Sequence, residues 1–139
     1  MKEYHISKHH RFITVGLSYE KADAGLRGKF ALDREASEAL LVQAREEGID
    51  GLLLTSTCNR TELHGFAAAP QHLIRLLCHH SAGTEDEFDA VGYVYQDQEA
   101  ITHLFRVGAG LDSQILGDFE IISQLKSASS QSRKAGLAN

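Results

Sequence analysis

The stretch from Gly51 to Ala67 constrains this chain most. Leu52-Leu53-Leu54 is an apolar run bounded by Gly51 on one side and by the polar residues Ser56-Thr57-Cys58-Asn59-Arg60 on the other, the pattern of a central strand buried on both faces. Thr61–Ala67 follows as a second β-type run, so Ser56–Arg60 becomes the turn between two strands. The first of these strands is expected over Ile49–Thr57, and it delivers Cys58 to its end.

The flanking sequence alternates helical and extended patterns. Residues 1–10 are polar and form a leader; Arg11–Ser18 is the first β-type run, and Gly25 and Gly28 punctuate Ala22–Phe30 as a loop. Asp33 can cap a helix whose Ala36, Leu40 and Ala44 recur at helical spacing, with Gly48 as its stop. Pro70 stands where a second helix can begin, with Leu73, Ile74 and Leu77 as its apolar face. After the acidic segment Thr84–Phe88, Val91–Tyr95 alternates like a strand. Asp97 then caps a helix that turns Ile101, Leu104 and Phe105 inward and closes at Gly108 or Gly110.

The order β-α-β-β-α-β-α predicts an α+β fold. Its first six elements match a ferredoxin-like split βαβ sandwich, a four-stranded antiparallel sheet with two helices on one face, and the rest is an appended C-terminal helical part. The expected organisation is a flexible leader over 1–10, a catalytic domain with its helical extension over 11–113, and a C-terminal helix over 114–139. That last helix centres on Phe119–Lys134, with Ile121, Ile122, Leu125 and Ala128 on its apolar side.

Composition removes several classes of function. At 139 residues with 42% hydrophobic and 24% charged residues, the chain has the balance of one globular core. Its net charge of −5 comes with dispersed Lys and Arg, so no basic stripe exists to follow a phosphate backbone. Two cysteines, Cys58 and Cys78, cannot build a disulfide framework, and the first residues lack a signal-peptide pattern. No apolar run approaches the ~20 residues that cross a bilayer. A reduced, cytoplasmic protein is expected.

Cys58 is the candidate nucleophile. A thiolate is stabilised by nearby cations, amides or a base and must be partly exposed. Thr57, Asn59 and Arg60 surround Cys58 with donors in a segment too polar for a core. Cys78, beside Leu77 on the apolar side of a predicted helix, is expected to pack instead. A metal site is the first competing reading, from His72, Cys78, His79 and His80 with His5, His9 and His10. These lack the paired spacing of a structural zinc site. A non-catalytic ligand- or RNA-binding module is the second, with Tyr93 and Tyr95 as stacking aromatics.

Ser56-Thr57-Cys58-Asn59-Arg60-Thr61-Glu62, together with the block from His103-Leu104-Phe105-Arg106 through Gly108-Ala109-Gly110-Leu111-Asp112-Ser113-Gln114 to Gly117, resembles the N-terminal catalytic domain of glutamyl-tRNA reductase. Gly16 and Leu26-Arg27 resemble that family's first block. The resemblance implies that Cys58 attacks the ester of glutamyl-tRNA, tRNA leaves, and NADPH reduces the thioester to glutamate-1-semialdehyde in tetrapyrrole synthesis. It also implies that His103 serves catalysis, polarising the carbonyl or protonating the leaving oxygen.

By the same resemblance Thr57, Asn59 and Arg60 hold the glutamyl group. Arg60 is suited to the substrate's carboxylate through paired hydrogen bonds; the alternative for it is a surface ion pair with Glu62. Ser113 and Gln124 match further substrate positions, and Asp118-Phe119-Glu120 stands where the family has Glu-Pro-Gln. Ser18-Tyr19-Glu20-Lys21-Ala22-Asp23 departs from the family's Asn-His-Lys-Thr-Ala-Pro, and nothing is carried onto it. The implied partners are glutamyl-tRNA, glutamate-1-semialdehyde aminomutase and a second copy in the full-length enzyme. Gly108-Ala109-Gly110 follows a predicted helix rather than a strand, which does not suit a dinucleotide turn, so no NADPH site is expected in this chain.

Overall fold

The structure, a computed structural model, describes residues 10–49, 51–108 and 115–117. The element order is β1 (Arg11–Ser18), α1 (Ala24–Phe30), α2 (Arg34–Glu46), β2 (Leu52–Ser56), β3 (Arg60–Ala67), α3 (Pro70–His80), α4 (Glu85–Val91), β4 (Tyr93–Gln96), α5 (Gln98–Gly108) and β5 (Ile115–Gly117). The strands form one sheet in the order β4-β1-β3-β2-β5, and every pairing is antiparallel. The sheet therefore has one strand more than expected: β5, within the stretch 114–139 expected as a C-terminal helix, pairs Ile115 with Thr55 and Gly117 with Leu53 along the edge of β2.

Local chemistry explains most boundaries. Asp33 caps α2 by accepting from the Ala36 amide at 2.7 Å. At the other end, Gly48 takes φ 90°, a conformation that costs glycine least. There the Ile49 amide returns to the Ala44 carbonyl and the Gly48 amide to that of Arg45, closing the helix with the double bond of a Schellman motif. Pro70 opens α3 at its first turn, where a missing N–H costs nothing.

Two predicted irregular segments are helices. Ala22–Phe30 contains α1 because Asp23 accepts from the Leu26 amide at 2.8 Å and Phe30 is buried against Phe88. The acidic segment becomes α4 through a capping box, in which the Thr84 side chain accepts from the Glu87 amide and Glu87 bonds back to Thr84. Val91 consequently ends α4, and the following strand starts at Tyr93 rather than Val91. Asp97 enters α5 with φ 56° and with its carboxylate 3.8 Å from Arg11.

Both faces of the sheet are covered. Ile13, Val15, Leu17, Leu52, Leu54 and Leu63 face α2 and α3 in the larger core with Leu40, Leu73 and Leu77. The opposite parity carries Phe12 and Leu53 against Ala100 and Leu104 of α5. Thus α5, expected as part of an appendage, is a layer of the fold and closes the sheet's second face.

Candidate active site at the β2–β3 turn

The strand pair β2–β3 places Cys58 at the tip of its turn, and the thiol is exposed. The turn is held by its own side chains. Thr57 Oγ1 accepts from the amides of Asn59 at 3.1 Å and Arg60 at 3.3 Å, and the Thr57 amide donates to the Arg60 carbonyl at 2.8 Å. From the end of β1 the Tyr19 amide donates to the Asn59 carbonyl at 2.9 Å, and from α1 Arg27 Nε donates to the Cys58 carbonyl at 3.1 Å. The exposed thiol thus sits on a backbone fixed by its own turn, by the end of β1 and by α1, the kind of support that a precise site needs.

Alternation along β3 sends Arg60, Glu62 and His64 to the α5 face. Glu62 has no exposed surface. Its Oε2 accepts from His103 Nε2 at 2.5 Å, from the Tyr93 hydroxyl, and from Arg60 at 3.4 Å. Burial works to raise the Glu62 pKa. The hydrogen bond from His103, the electrostatic influence of the adjacent His64 ring and the Tyr93 hydroxyl outweigh it and hold the group below the usual carboxylate value. The same pairing, after burial, pushes the Tyr93 phenol up. An Arg60–Glu62 pair therefore exists, as the alternative expectation had it, but within the protein and not on its surface.

His103 itself is only 7% exposed, with Tyr95 at 4.6 Å and Tyr93 at 5.6 Å between ring centres. Its Nε2 faces the Glu62 carboxylate, which favours the ring tautomer with its hydrogen on that nitrogen. His64 is fully buried, its Nδ1 2.9 Å from Thr14 Oγ1 and its Nε2 3.5 Å from Glu62 Oε1. Burial pushes it down to about 4 against the pull of Glu62, with His103 and Arg60 adding to the depression. The neutral ring then carries its hydrogen on Nε2, toward the carboxylate, and accepts from Thr14. Gly16 makes room for this cluster: a Cβ there would meet Glu62 Cγ at 2.6 Å and the Thr61 carbonyl oxygen at 2.6 Å.

The sequence-predicted residues thus divide. Cys58, Thr57, Asn59 and Arg60 share one turn, and Glu62 links Arg60 to His103. Ser113, Asp118, Phe119, Glu120 and Gln124 lie outside the described residues. Glu62 and His64 were missed as functional candidates. The signal was present in the strict alternation Arg60, Glu62, His64, which ordinarily marks a solvated strand face.

Cys78 behaves as expected for a packing residue. It is partly buried against the larger core, and its pKa is pushed up to about 11 by burial and then by Glu85, Asp89 and Glu87. His72 pairs with Glu47 at 2.6 Å and His80 with Gln43 at 2.7 Å. Among the described residues no group of three or more His, Cys, Asp or Glu is arranged to hold a metal ion. Gly108 lies within α5 rather than at a strand-to-helix turn, and the strand pairings are all antiparallel. Among the described residues no parallel strand-to-helix glycine turn of the dinucleotide-binding kind is formed.

An exposed thiol at the turn between two strands, one of which carries a buried carboxylate bonded to histidine and tyrosine, defines the class: an α+β domain with an exposed cysteine at a strand turn. The comparisons give the family. The sequence matches the family described as Glutamyl-tRNAGlu reductase, N-terminal domain, over residues 15–139, and the chain belongs to it. It is 63% identical over its whole length to a glutamyl-tRNA reductase of Christiangramia forsetii and 58% identical to one of Flavobacterium psychrophilum. It spans 33% and 34% of those relatives' lengths. The solved glutamyl-tRNA reductase of Methanopyrus kandleri superposes with a TM-score of 0.54 at 27% identity, over 92% of this chain and 29% of that one. Among the described residues no helix is long and apolar enough to cross a membrane.

Proposed function

We propose that this chain is the acyl-accepting domain of a cytoplasmic glutamyl-tRNA reductase. The Cys58 thiolate attacks the ester carbonyl of glutamyl-tRNA, a carbon–sulfur bond forms, and the carbon–oxygen bond to the terminal ribose breaks. The departing ribose oxygen takes a proton from His103, whose ring Glu62 holds in place through Nε2. Thr57, Asn59 and Arg60 hold the glutamyl group, Arg60 through the guanidinium edge that Glu62 leaves open. Ser113, Asp118, Phe119, Glu120 and Gln124 complete the substrate contacts in this reading.

The observation that carries it is the exposure of Cys58 on a turn fixed by Thr57, Tyr19 and Arg27, in a chain of this family. Reduction of the thioester by NADPH to glutamate-1-semialdehyde belongs to the whole enzyme, as do a homodimer and delivery of the aldehyde to an aminomutase. Strands β1 to β4 with α2 and α3 have the order of a split βαβ unit, and we assign them to the ferredoxin-like class. Tyr93 and Tyr95 pack against His103, which favours the catalytic reading over an RNA platform.

Intact-mass measurement after incubation with glutamyl-tRNA tests the assignment. A glutamyl adduct is expected on wild type and Cys78→Ser and on no Cys58→Ser protein, with slow loss to water and no aldehyde whether or not NADPH is added. An adduct that survives Cys58→Ser overturns the proposal.

A further inference from the structure

Two arginines reach the Cys58 turn, and they differ in what they hold. Arg60 is committed on one side to the ionised Glu62, so its charge is locally offset. Arg27, from α1, donates Nε to the Cys58 carbonyl at 3.1 Å and Nη1 to the Ala22 carbonyl at 2.6 Å. Both acceptors are neutral, and a guanidinium carries more N–H donors than these two bonds use. Among the described residues the ion pairs join other groups, and none involves Arg27. In a chain of net charge −5, a cation with no ion pair among the described residues is thus clamped to the main chain at Cys58.

The clamp also explains why α1 forms where glycines suggested a loop. Asp23 caps the helix through the Leu26 amide, Phe30 anchors its far end in the core, and between them Arg27 is aimed back at the β2–β3 turn. The three contacts turn a short helix into a bracket for one guanidinium.

We infer that Arg27 is an anion-positioning residue of the Cys58 site: it fixes the turn through the Cys58 carbonyl, and its remaining donors draw in an oxyanion of the acyl donor, a carboxylate or a phosphate. This rests on Cys58 being the acylated thiol. Anion preference at that thiol can nevertheless be measured without any transfer reaction.

The test uses the 139-residue chain with Cys78→Ser, so that a single thiol reports. Iodoacetate and iodoacetamide both lose iodide to the thiolate and form the same carbon–sulfur bond, but only the first is an anion, so the ratio of their rates cancels thiol ionisation. Arg27→Met is expected to lower that ratio roughly three- to tenfold, the effect of one unit charge a few ångströms away in water. Arg27→Lys is expected to restore most of it, and added salt to lower the wild-type ratio toward that of Arg27→Met. An unchanged ratio in Arg27→Met overturns the inference. So does a parallel fall of both rates with the circular dichroism preserved, which would leave Arg27 as a structural clamp alone.

Acylation then separates the two anion sources. If the carboxylate is read, Arg27→Met slows a small glutamyl thioester but not its glutaminyl analogue. If a phosphate is read, only glutamyl-tRNA is slowed; slowing of none of these donors overturns the inference. A failed glutamyl adduct on wild type would sink the enzymatic reading and leave the alkylation ratio standing, so the two failures are distinguishable.

Discussion

On the face covered by α2 and α3, β1 and β3 contribute Ile13, Val15, Leu17 and Leu63, none with exposed surface. On the face covered by α5 the same strands contribute Thr14, Glu62 and His64, equally buried. Burial is the same on both sides, but the α5 face adds a buried polar cluster to its apolar contacts at Phe12 and Leu53. The first face is stabilised by apolar area and close contact, which are non-directional. The second depends on named partners: a carboxylate shared by His103, Tyr93 and Arg60, and a histidine held by Thr14. A volume-conserving change should be tolerated on one and not on the other.

Neighbouring residues of β3 give the sharpest contrast. Glu62→Ala leaves Arg60 without its counter-charge and His103 without its buried acceptor, and is expected to cost about 3–5 kcal/mol in urea unfolding at pH 7. Leu63→Met, one residue on and facing the other way, is expected to cost less than about 1.5 kcal/mol. Equal losses would break the distinction between the faces.

The two thiols extend the contrast to reactivity. With its pKa near 11, Cys78 on α3 holds roughly one thiolate in a thousand at pH 8. Iodoacetamide labelling followed by peptide mapping should therefore modify Cys58 well before Cys78. Comparable rates at the two positions would contradict the packing assigned to Cys78.

Acid should weaken the α5 face selectively. His64 has its folded pKa depressed to about 4 from 6.5. The unfolded chain thus binds the proton first, and stability falls as pH drops from 6.5 toward 4, by about 3 kcal/mol for a shift of this size. Glu62, also depressed, contributes stability that is fully present above its unfolded value of 4.5 and is lost as pH falls through its lower folded value. Both act in the same direction. Urea midpoints at pH 7, 5.5 and 4 should show the decline, and His64→Phe should flatten its upper part; a slope unchanged in that variant would remove His64 as the cause.

The smallest effect lies on the apolar face. Ile13→Val is expected to cost about 0.5–1.5 kcal/mol, by the same amount at pH 7 and pH 5. A marked pH dependence of that loss would mean that the faces are coupled through the sheet.

Sequence reasoning reached the parts governed by neighbours in the chain. Asp33, Gly48 and Pro70 act within a turn or two of themselves, and the apolar strand ending in a polar turn identified Cys58 with Thr57, Asn59 and Arg60. The Thr84–Glu87 capping box was equally local and legible, yet the acidic run around it suggested no helix. For α1, two glycines outweighed a cap at Asp23 whose value depends on Phe30 finding Phe88, a contact between distant positions.

What the sequence determined by itself was the parity of each strand, the caps, the exposed thiol turn and the motifs that place the chain in its family, because these depend on residues close in the chain. Only the tertiary structure decided what the polar parity of β3 faces. Alternation tells which side chains share a side of a sheet, not whether water or a helix lies over them. The arrival of α5, bringing His103 from a distant segment onto Glu62, turned a strand face that would otherwise be solvated into a buried polar cluster on the strand that follows the Cys58 turn.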